Sequence, residues 1–398
     1  MTSAVLVLNV GSSSVKFALY DLHSADALCR GGVDALGTAR AGFQASGARA
    51  AALAGARPPV GDHASAASWL LRLFAERLAD IELAAAGHRV VHGGTAFADP
   101  VRIDERVLET LQGFVPLAPN HQPQNLAAIR AVARALPDLP QVACFDTAFH
   151  RTQPAHAQRF ALPRSLSEAG IVRYGFHGLS FEYLAGVLPD FAGARADGRV
   201  VIAHLGHGAS LCALRERRSI ATTMGFTALD GLVMGTRCGA LDPGVVLHLI
   251  EQRGMTPAEV SDLLYNRSGL LGMSGLSDDL RVLEADGGMH AQEAMDLFAY
   301  RAAREIGSLA AALGGLDVIV FSAGIGERSP SMRARICAYS SWLGIGLDAR
   351  ANAAGESRIS AAGTAVDVFV IPTDEEATIA RAARALLCST SRADLSSG

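Results

Sequence analysis

Two stretches about 195 residues apart carry one pattern. Leu6–Phe17 reads LVLNVGSSSVKF and Val201–Cys212 reads VIAHLGHGASLC: an apolar run, one polar residue, an apolar residue, then glycines among small hydroxyl or methyl side chains. Aligned, Asn9 matches His204, Gly11 matches Gly206 and Ser14 matches Ala209. The pattern predicts a duplicated strand–turn–strand unit, and so a chain made of two related halves. Small residues at a turn also let backbone N–H groups approach phosphate oxygens that bulkier side chains would hold away. A plain β-hairpin turn has the same need for glycine. Either copy alone leaves both readings open, whereas two copies point to two clamps on one polyphosphate.

The chain is long enough for two halves, since 398 residues, half of them apolar, exceed the usual ~100 to 200 residues per domain. A net charge of −4 gives no general electrostatic reason to bind nucleic acid or an anionic membrane surface. Any anion site must be local. The six cysteines show no C-x-x-C or zinc-ribbon spacing and read as small core residues of a reducing compartment. The opening MTSAVLVLNVG lacks a basic n-region, and its apolar stretch meets Asn9 too soon for a signal sequence or a membrane span. These features predict a cytoplasmic protein.

Strand-like runs recur at Val5–Leu8, Val90–Val91, Val142–Phe145, Val200–Ala203, Val318–Phe321 and Val368–Ile371. Helical periodicity is clearest at Pro123–Leu136, Met289–Leu313 and Thr373–Leu387, with Thr373 as N-cap and Glu376 as its capping-box partner. The alternation predicts α/β layers. The alanine- and glycine-rich stretch from Gly37 to Ser68 has no clear period and reads as a surface excursion. The strand Val318–Phe321 runs into SAGIGERSP, and a glycine-rich turn at the carboxyl end of an α/β strand is a usual docking place for nucleotides.

Arginines sit in glycine-bounded turns at GHRVVHGG (Gly87–Gly94), RYGFHG (Arg173–Gly178) and MGTRCGALDPG (Met234–Gly244). If they converge, they offer forked donors for carboxylate or phosphate. His88 and His92 lack the H-E-x-x-H setting, which argues against zinc. In CFDTAFH (Cys144–His150), Asp146 positions a metal or substrate or else caps the next segment. The acids of PTDEEATIA (Pro372–Ala380) suit a helix N-terminus with or without a function.

Taken together and in order, NVGSSSVKF, GHRVVHGG, FDTAFH, YGFHGLS, HLGHGAS, MGFTALDGLVMGTR, SGLLGMSGLSDDLR, FSAGIGERSP and PTDEEATIA closely resemble the acetate kinases, relatives of sugar kinases, actin and the large ATP-driven chaperones. The resemblance spans nearly the whole chain. It implies an α/β fold of two duplicated ribonuclease H-like (actin-like ATPase) domains, each a βββαβαβα core, flanking a nucleotide cleft. The expected domains are residues 1–148 with 378–398, for the acyl and phosphate side, and 149–377, for the nucleotide. It implies ATP/ADP and a short-chain carboxylate as partners, Mg²⁺ with Mn²⁺ as the alternative, and a homodimer.

By matching motifs, the resemblance assigns Asn9 and Glu375 to the metal, and Ser12, Ser14 and Lys16 to the phosphate path. Arg89 and Arg237 should hold the carboxylate and the transferring phosphoryl group, with His177 stabilising the latter and Asp146 orienting the site. The ATP-binding segments should be His204, Leu205, Gly206, His207 and Gly208; Asp279, Leu280 and Arg281; and Gly324, Ile325, Gly326, Glu327 and Arg328. Val91 and Phe176 should wall the acyl pocket.

The chain departs from the family pattern near this site. LAPLHNP appears as LAPNHQP, putting polar Asn120 at an apolar wall position, and MGFTPLEG appears as MGFTALDG, putting Ala228 where a proline stands. HLGNG becomes HLGHG through His207, SGDIDPG becomes CGALDPG through Ala240, and GIGEN becomes GIGER through Arg328. These changes keep two alternatives open: a kinase for propionate or a hydroxylated short acid, and a nucleotide-binding switch whose catalysis has decayed. Retention of Asn9, Arg89, His177, Arg237 and Glu375 speaks against the switch.

Overall fold

Both predicted hairpins form. β1 (Thr2–Val10) and β2 (Val15–Asp21) pair antiparallel with Asn9 opposite Lys16, and the turn is tied by Gly11 N–H donating to Ser14 O at 2.9 Å. The second copy, which here becomes the eighth and ninth strands, pairs His204 with Ser210 and Leu205 with Ala209. The computed structural model describes residues 1–11 and 13–396, and for 389–396 the backbone alone. Ser12, assigned above to the phosphate path, lies outside the described residues.

The chain divides into two units, Met1–Ala148 with Asp374–Gly398, and Phe149–Thr373. The first carries β3 (Ala27–Asp34), β4 (Gly42–Ser46), β5 (Ile81–Val90), β6 (Val101–Arg102) and β7 (Gln141–Phe145) beside β1 and β2, in the order β4-β3-β2-β1-β5-β7-β6. The second carries β8 (Val200–Leu205), β9 (Ala209–Arg215), β10 (Arg218–Thr222), β11 (Val318–Ser322) and β12 (Asp367–Val370), in the order β10-β9-β8-β11-β12. β3-β2-β1-β5-β7 and β10-β9-β8-β11-β12 are one topology: an antiparallel meander whose first strand continues into two parallel strands. The repeat in the sequence is therefore the visible end of a whole duplicated sheet.

In the first unit, Leu6, Leu8 and Val10 of β1 and Val15, Phe17 and Leu19 of β2 bury one face against the helices His63–Arg77 and Gln122–Ala135. The helix Glu375–Ser396 covers the other face, packing on β5, β1, β7 and β2. It lies so close that a Cβ on Gly87 would stand 2.5 Å from the Ile379 side chain. Only glycine admits that approach, and it brings the first turn of the helix beside the strand ends. In the second unit, the helix Gly178–Ala192 packs Phe181, Leu184 and Leu188 on Val200, Ile202, Val318 and Val320. The long helix Met289–Leu313 packs on β9, β10 and β8. Each such large apolar side chain contributes roughly 1.5–3 kcal/mol when fully buried.

Four expectations shift. The stretch from Gly37 to Ser68, read as a surface excursion without clear period, supplies β4, a short helix Ala50–Leu53 and the start of the His63–Arg77 helix. β5 ends at Val90, so Val91 is the first residue beyond it. The final helix is capped by Asp374, whose Oδ1 accepts from Ala377 N–H at 2.9 Å, and not by Thr373, whose hydroxyl bonds Ser180 instead. That helix also runs to Ser396, beyond Leu387 where the helical periodicity of the sequence ends. Among the described residues, no helix is long and apolar enough to cross a membrane.

Candidate active site

In the first unit, β1 and β5 run parallel, and their last register pair is Leu8 with His88. The next residues, Asn9 and Arg89, project toward the Glu375–Ser396 helix. Asn9 Nδ2 donates to Glu375 Oε2 at 3.0 Å and to Glu376 Oε1 at 3.1 Å. Arg89 N–H groups donate to Asp146 through Nε (3.1 Å to each oxygen) and Nη2 (2.6 Å), and Nη1 donates to Asn9 Oδ1 at 3.3 Å. Asp146 is 1% exposed and follows β7 directly. It holds the Arg89 guanidinium by three contacts. A guanidinium has five N–H donors, so these contacts leave one on each terminal nitrogen for a substrate oxygen.

Burial opposes the Arg89 charge, but the carboxylates of Asp146, Glu375 and Glu376 outweigh it and hold the guanidinium pKa above its ordinary value. Burial, followed by the charge of Glu375, pushes the Glu376 carboxyl up. Lys16, exposed on β2 opposite Asn9, works in the other direction. Two carboxylates crowded on one amide form a hard-oxygen donor set whose repulsion a divalent cation would relieve. Among the described residues, no group of three or more His, Cys, Asp or Glu side chains could hold a metal. The chemistry of the donor set thus fits a hard divalent ion held from one side.

His88 and His92 do not form a metal pair. His88 Nε2 meets the Gln141 amide at 2.7 Å, while His92 Nδ1 accepts from Gly94 N–H at 2.9 Å. Burial pushes each ring down to about 4. Val91 is buried, and its N–H donates to Asn125 Oδ1 at 3.0 Å. Asn120 is exposed on the turn that precedes the Gln122–Ala135 helix, and Ser14 is half-buried at the β1–β2 turn.

The second unit repeats the arrangement with other chemistry. His204 is the next-to-last residue of β8, as Asn9 is of β1, and its ring stacks on His177 at 4.3 Å between centroids and 19° between planes. His204 Nδ1 bonds Ser180 Oγ at 2.8 Å, and Ser180 continues to Thr373 Oγ1 at 2.8 Å. His177 opens the Gly178–Ala192 helix at φ 59°, a left-handed conformation that costs a non-glycine residue about 1–2 kcal/mol. Its Nδ1 shares a 2.8 Å hydrogen bond with buried Ser210 Oγ. With Ser210 as donor, the His177 Nε2 carries the proton.

A Cβ on Gly208 would stand 3.1 Å from Arg237 Nη2 and 3.3 Å from His177 Nε2. The glycine therefore keeps open the space that both cationic or donor groups face. Arg237 Nη1 donates to Ala228 O at 2.7 Å, so the residue that replaces proline anchors Arg237 through its backbone. Phe176 is buried, and its carbonyl bonds the His150 ring at 3.0 Å. Ala240 is exposed, three residues before Pro243 opens the next helix.

The three predicted nucleotide segments meet. Gly206, His207, Asp279, Leu280, Arg281, Gly324, Ile325 and Arg328 line one cavity of about 370 Å³ together with Asp278, Glu284 and Ser329. That volume lies in the range of small-molecule sites. His207 Nε2 pairs with Asp278 Oδ2 at 3.0 Å, and Asp279 caps the Leu280–Asp286 helix while binding the exposed Arg281. Glu327 turns inward, accepting from Ala323 N–H at 2.8 Å, so it braces its own turn. Leu205 is buried at the end of β8, and Gly326 is buried under the turn.

Sequence reasoning missed Glu376, which it placed in a capping box, and the supporting Ser180, Ser210, Gln122 and Asn125. The usable signal for the last two was a pair of amides on the apolar, core-facing side of a helix.

The chain is similar to known proteins over nearly its whole length. Residues 4–381 match the model of the Acetokinase family. An acetate kinase of Rhodopseudomonas palustris is 55% identical over 389 residues, covering 96% of this chain and 98% of that protein. A propionate kinase from Francisella tularensis superposes with a TM-score of 0.88 at 35% identity, covering 96% of this chain and 98% of its own. The acetate kinase of Porphyromonas gingivalis gives 0.84 at 36% identity, covering 97% and 100%. The two sheets described above are thus the duplicated actin-like ATPase fold.

Proposed function

The chain belongs to the acetokinase family, and from that premise we propose that it is an ATP-dependent acetate kinase, moving the γ-phosphoryl group of ATP to the acetate carboxylate and back. The observation that carries this reading is the Arg89 guanidinium, oriented by buried Asp146 with two N–H groups left for substrate. A small carboxylic acid is ionised at pH 7, so its attack on phosphorus needs no general base. Asp146, already committed to Arg89, is free of that duty. The obstacle is the approach of one anion to another, which fixed positive charge and in-line positioning overcome.

The first unit supplies Arg89 for the carboxylate, Asn9 and Glu375, supported by Glu376, for Mg²⁺, and Ser14 and Lys16 for the phosphates. When bound, Mg²⁺ would neutralise charge on the phosphate oxygens. The second unit supplies Arg237 and His177, two donors facing one glycine, for the transferring phosphoryl group. Its cavity between Gly206 and Ser329 takes the adenosine. The direct test is the reverse reaction: acetyl phosphate, ADP and Mg²⁺ should yield ATP, read with luciferase. No ATP from acetyl phosphate would contradict the reading.

Arg333 bears on the nucleotide side. It is fully buried, and its N–H groups donate to Gly326 O, Glu327 O and both oxygens of Asn352 at 2.8–2.9 Å. It therefore pins the turn that lines the adenosine cavity. Arg333→Met should raise the KM for ATP about tenfold and lower stability by about 2–4 kcal/mol, since several buried acceptors lose their partner. The KM for acetate should stay within twofold. Steady-state kinetics and thermal unfolding check both, and an unchanged KM for ATP would contradict this role.

A homodimer is part of the same proposal. The helix Pro243–Glu251 has no buried residue although it carries Val245, Val246, Leu247, Leu249 and Ile250, and Leu247 is 56% exposed. Pairing with a second copy would cover that face. Light scattering should return twice the 41.4 kDa chain mass, and a single-chain mass would overturn the dimer. Among the described residues, no cysteine is in a disulfide, which supports a reducing, cytoplasmic setting.

A further inference from the structure

Asn125 occupies an expensive position for an asparagine. It lies inside the Gln122–Ala135 helix, 1% exposed, and its own N–H is already bonded to His121 O at 3.1 Å. It is therefore not a cap, and helix propensity alone would favour alanine or leucine there. Its side chain instead makes two bonds outside the helix. Oδ1 accepts from Val91 N–H at 3.0 Å, and Nδ2 donates to Val10 O at 3.2 Å.

These partners are the residues directly after Arg89–Val90 and Asn9 on neighbouring strands. The β1–β5 ladder stops at Leu8 and His88, and beyond that point the main chains no longer bond each other. The amide of Asn125 stands in for the missing ladder bonds, one strand on each side. Gln122, one helical turn earlier, adds a second hold on the β5 side only: its Oε1 accepts from His92 N–H at 3.2 Å and its Nε2 donates to His92 O at 3.1 Å. Asn125 alone of the two joins both strands.

We propose that Asn125 is a positioning residue that sets the separation of Asn9 and Arg89, and so couples the metal side of the site to the carboxylate-binding side. It touches neither substrate nor metal. The inference rests on the acetate kinase reading of this site. With its side chain intact, Arg89 Nη1 reaches Asn9 Oδ1 at 3.3 Å. Without it, the two strand ends are free to spread or slide, and a shift on the order of 1 Å at a reacting centre can cost about 100-fold.

The test compares wild type with Asn125→Ala and Asn125→Asp. The aspartate keeps an acceptor for Val91 N–H but cannot donate to Val10 O, so it severs the link on one side. Initial rates are measured against acetate and against Mg²⁺, nucleotide affinity is measured separately by titration calorimetry, and thermal unfolding reports folding. In both variants, the KM for acetate and the Mg²⁺ concentration for half-activation should rise together by about 10- to 100-fold. ADP affinity without Mg²⁺ should change less than twofold, because the adenosine cavity is lined by residues of the other unit.

A merely structural residue would lower the unfolding temperature and leave both constants of the folded protein unchanged, and that result overturns the proposal. If Asn125→Ala does not fold, Asn125→Asp decides by the same criteria. A rise in only one of the two constants also overturns it, since coupling is the claim. Wild-type protein without acetate-dependent turnover would overturn the functional reading, and this inference with it. An active wild type beside unaffected variants would overturn the inference alone.

Discussion

Arg89→Ala should lower acetate kinase turnover by about 10³-fold or more, the scale on which a single arginine contributes to phosphoryl transfer. The same change should also destabilise the protein. Asp146 is 1% exposed and receives three contacts from Arg89, so truncation breaks a buried ion pair from one side. Such a change costs about 3–5 kcal/mol. The two effects separate in the double variant Arg89→Ala/Asp146→Ala, which removes both charges of the pair. Its unfolding temperature should recover toward wild type while its turnover stays low. Recovery of both would make Arg89 a structural residue, and wild-type turnover in the single variant would remove it from the mechanism.

Arg237→Ala should cost a similar factor in turnover with little change in stability. Its Nη1 donates to Ala228 O at 2.7 Å, a bond worth about 0.5–1.5 kcal/mol net. The loop around it has its own supports, including Ser268 N–H donating to Thr236 O and the Thr236 hydroxyl donating to Tyr265 O. Loss of the guanidinium therefore removes a donor aimed at the space beside Gly208 without loosening the loop. Arg237→Lys should restore only a small part of the rate, because an ammonium keeps the charge but loses the planar fork. Nucleotide affinity should stay within a few-fold, since Arg237 does not line the adenosine cavity. Full activity in Arg237→Lys would show that charge alone suffices there.

The duplicated turn was legible in the sequence because a tight hairpin leaves a local mark: a polar residue, a gap of one, then small residues. That mark located Asn9 and His204, and the structure gives the two positions parallel roles. Asn9 meets the first turn of one helix through Glu375 and Glu376, and His204 meets the first turn of another through His177 and Ser180. The parallel strands were legible as unbroken apolar runs, and the glycine pair after Leu313 marked the end of the long helix, capped by Gly314 at φ 71°.

What escaped was set by tertiary contact. Thr373 and Asp374 satisfy the local rules for an N-cap equally well, and only the approach of Ser180 and Asn9 shows that Thr373 and its expected partner Glu376 are engaged elsewhere. Asn125 and Gln122 look like polar interruptions of an apolar helix until the ends of β1 and β5 are seen beside them. The stretch from Gly37 to Ser68 escaped because β4 is an edge strand with no buried residue, so its sequence carries no alternation strong enough to read.

The most direct test of the account is acyl phosphate formation, trapped as the hydroxamate with hydroxylamine, from purified protein, ATP and Mg²⁺ with acetate, propionate, butyrate, lactate and glycolate in turn. The account predicts carboxylate-dependent hydroxamate with the highest kcat/KM for acetate, matched by ADP release. Preference for a longer or hydroxylated acid would contradict acetate as the substrate and give Ala228 and Asn120 a part in acid selection. ATP binding without hydroxamate from any acid would contradict the kinase itself.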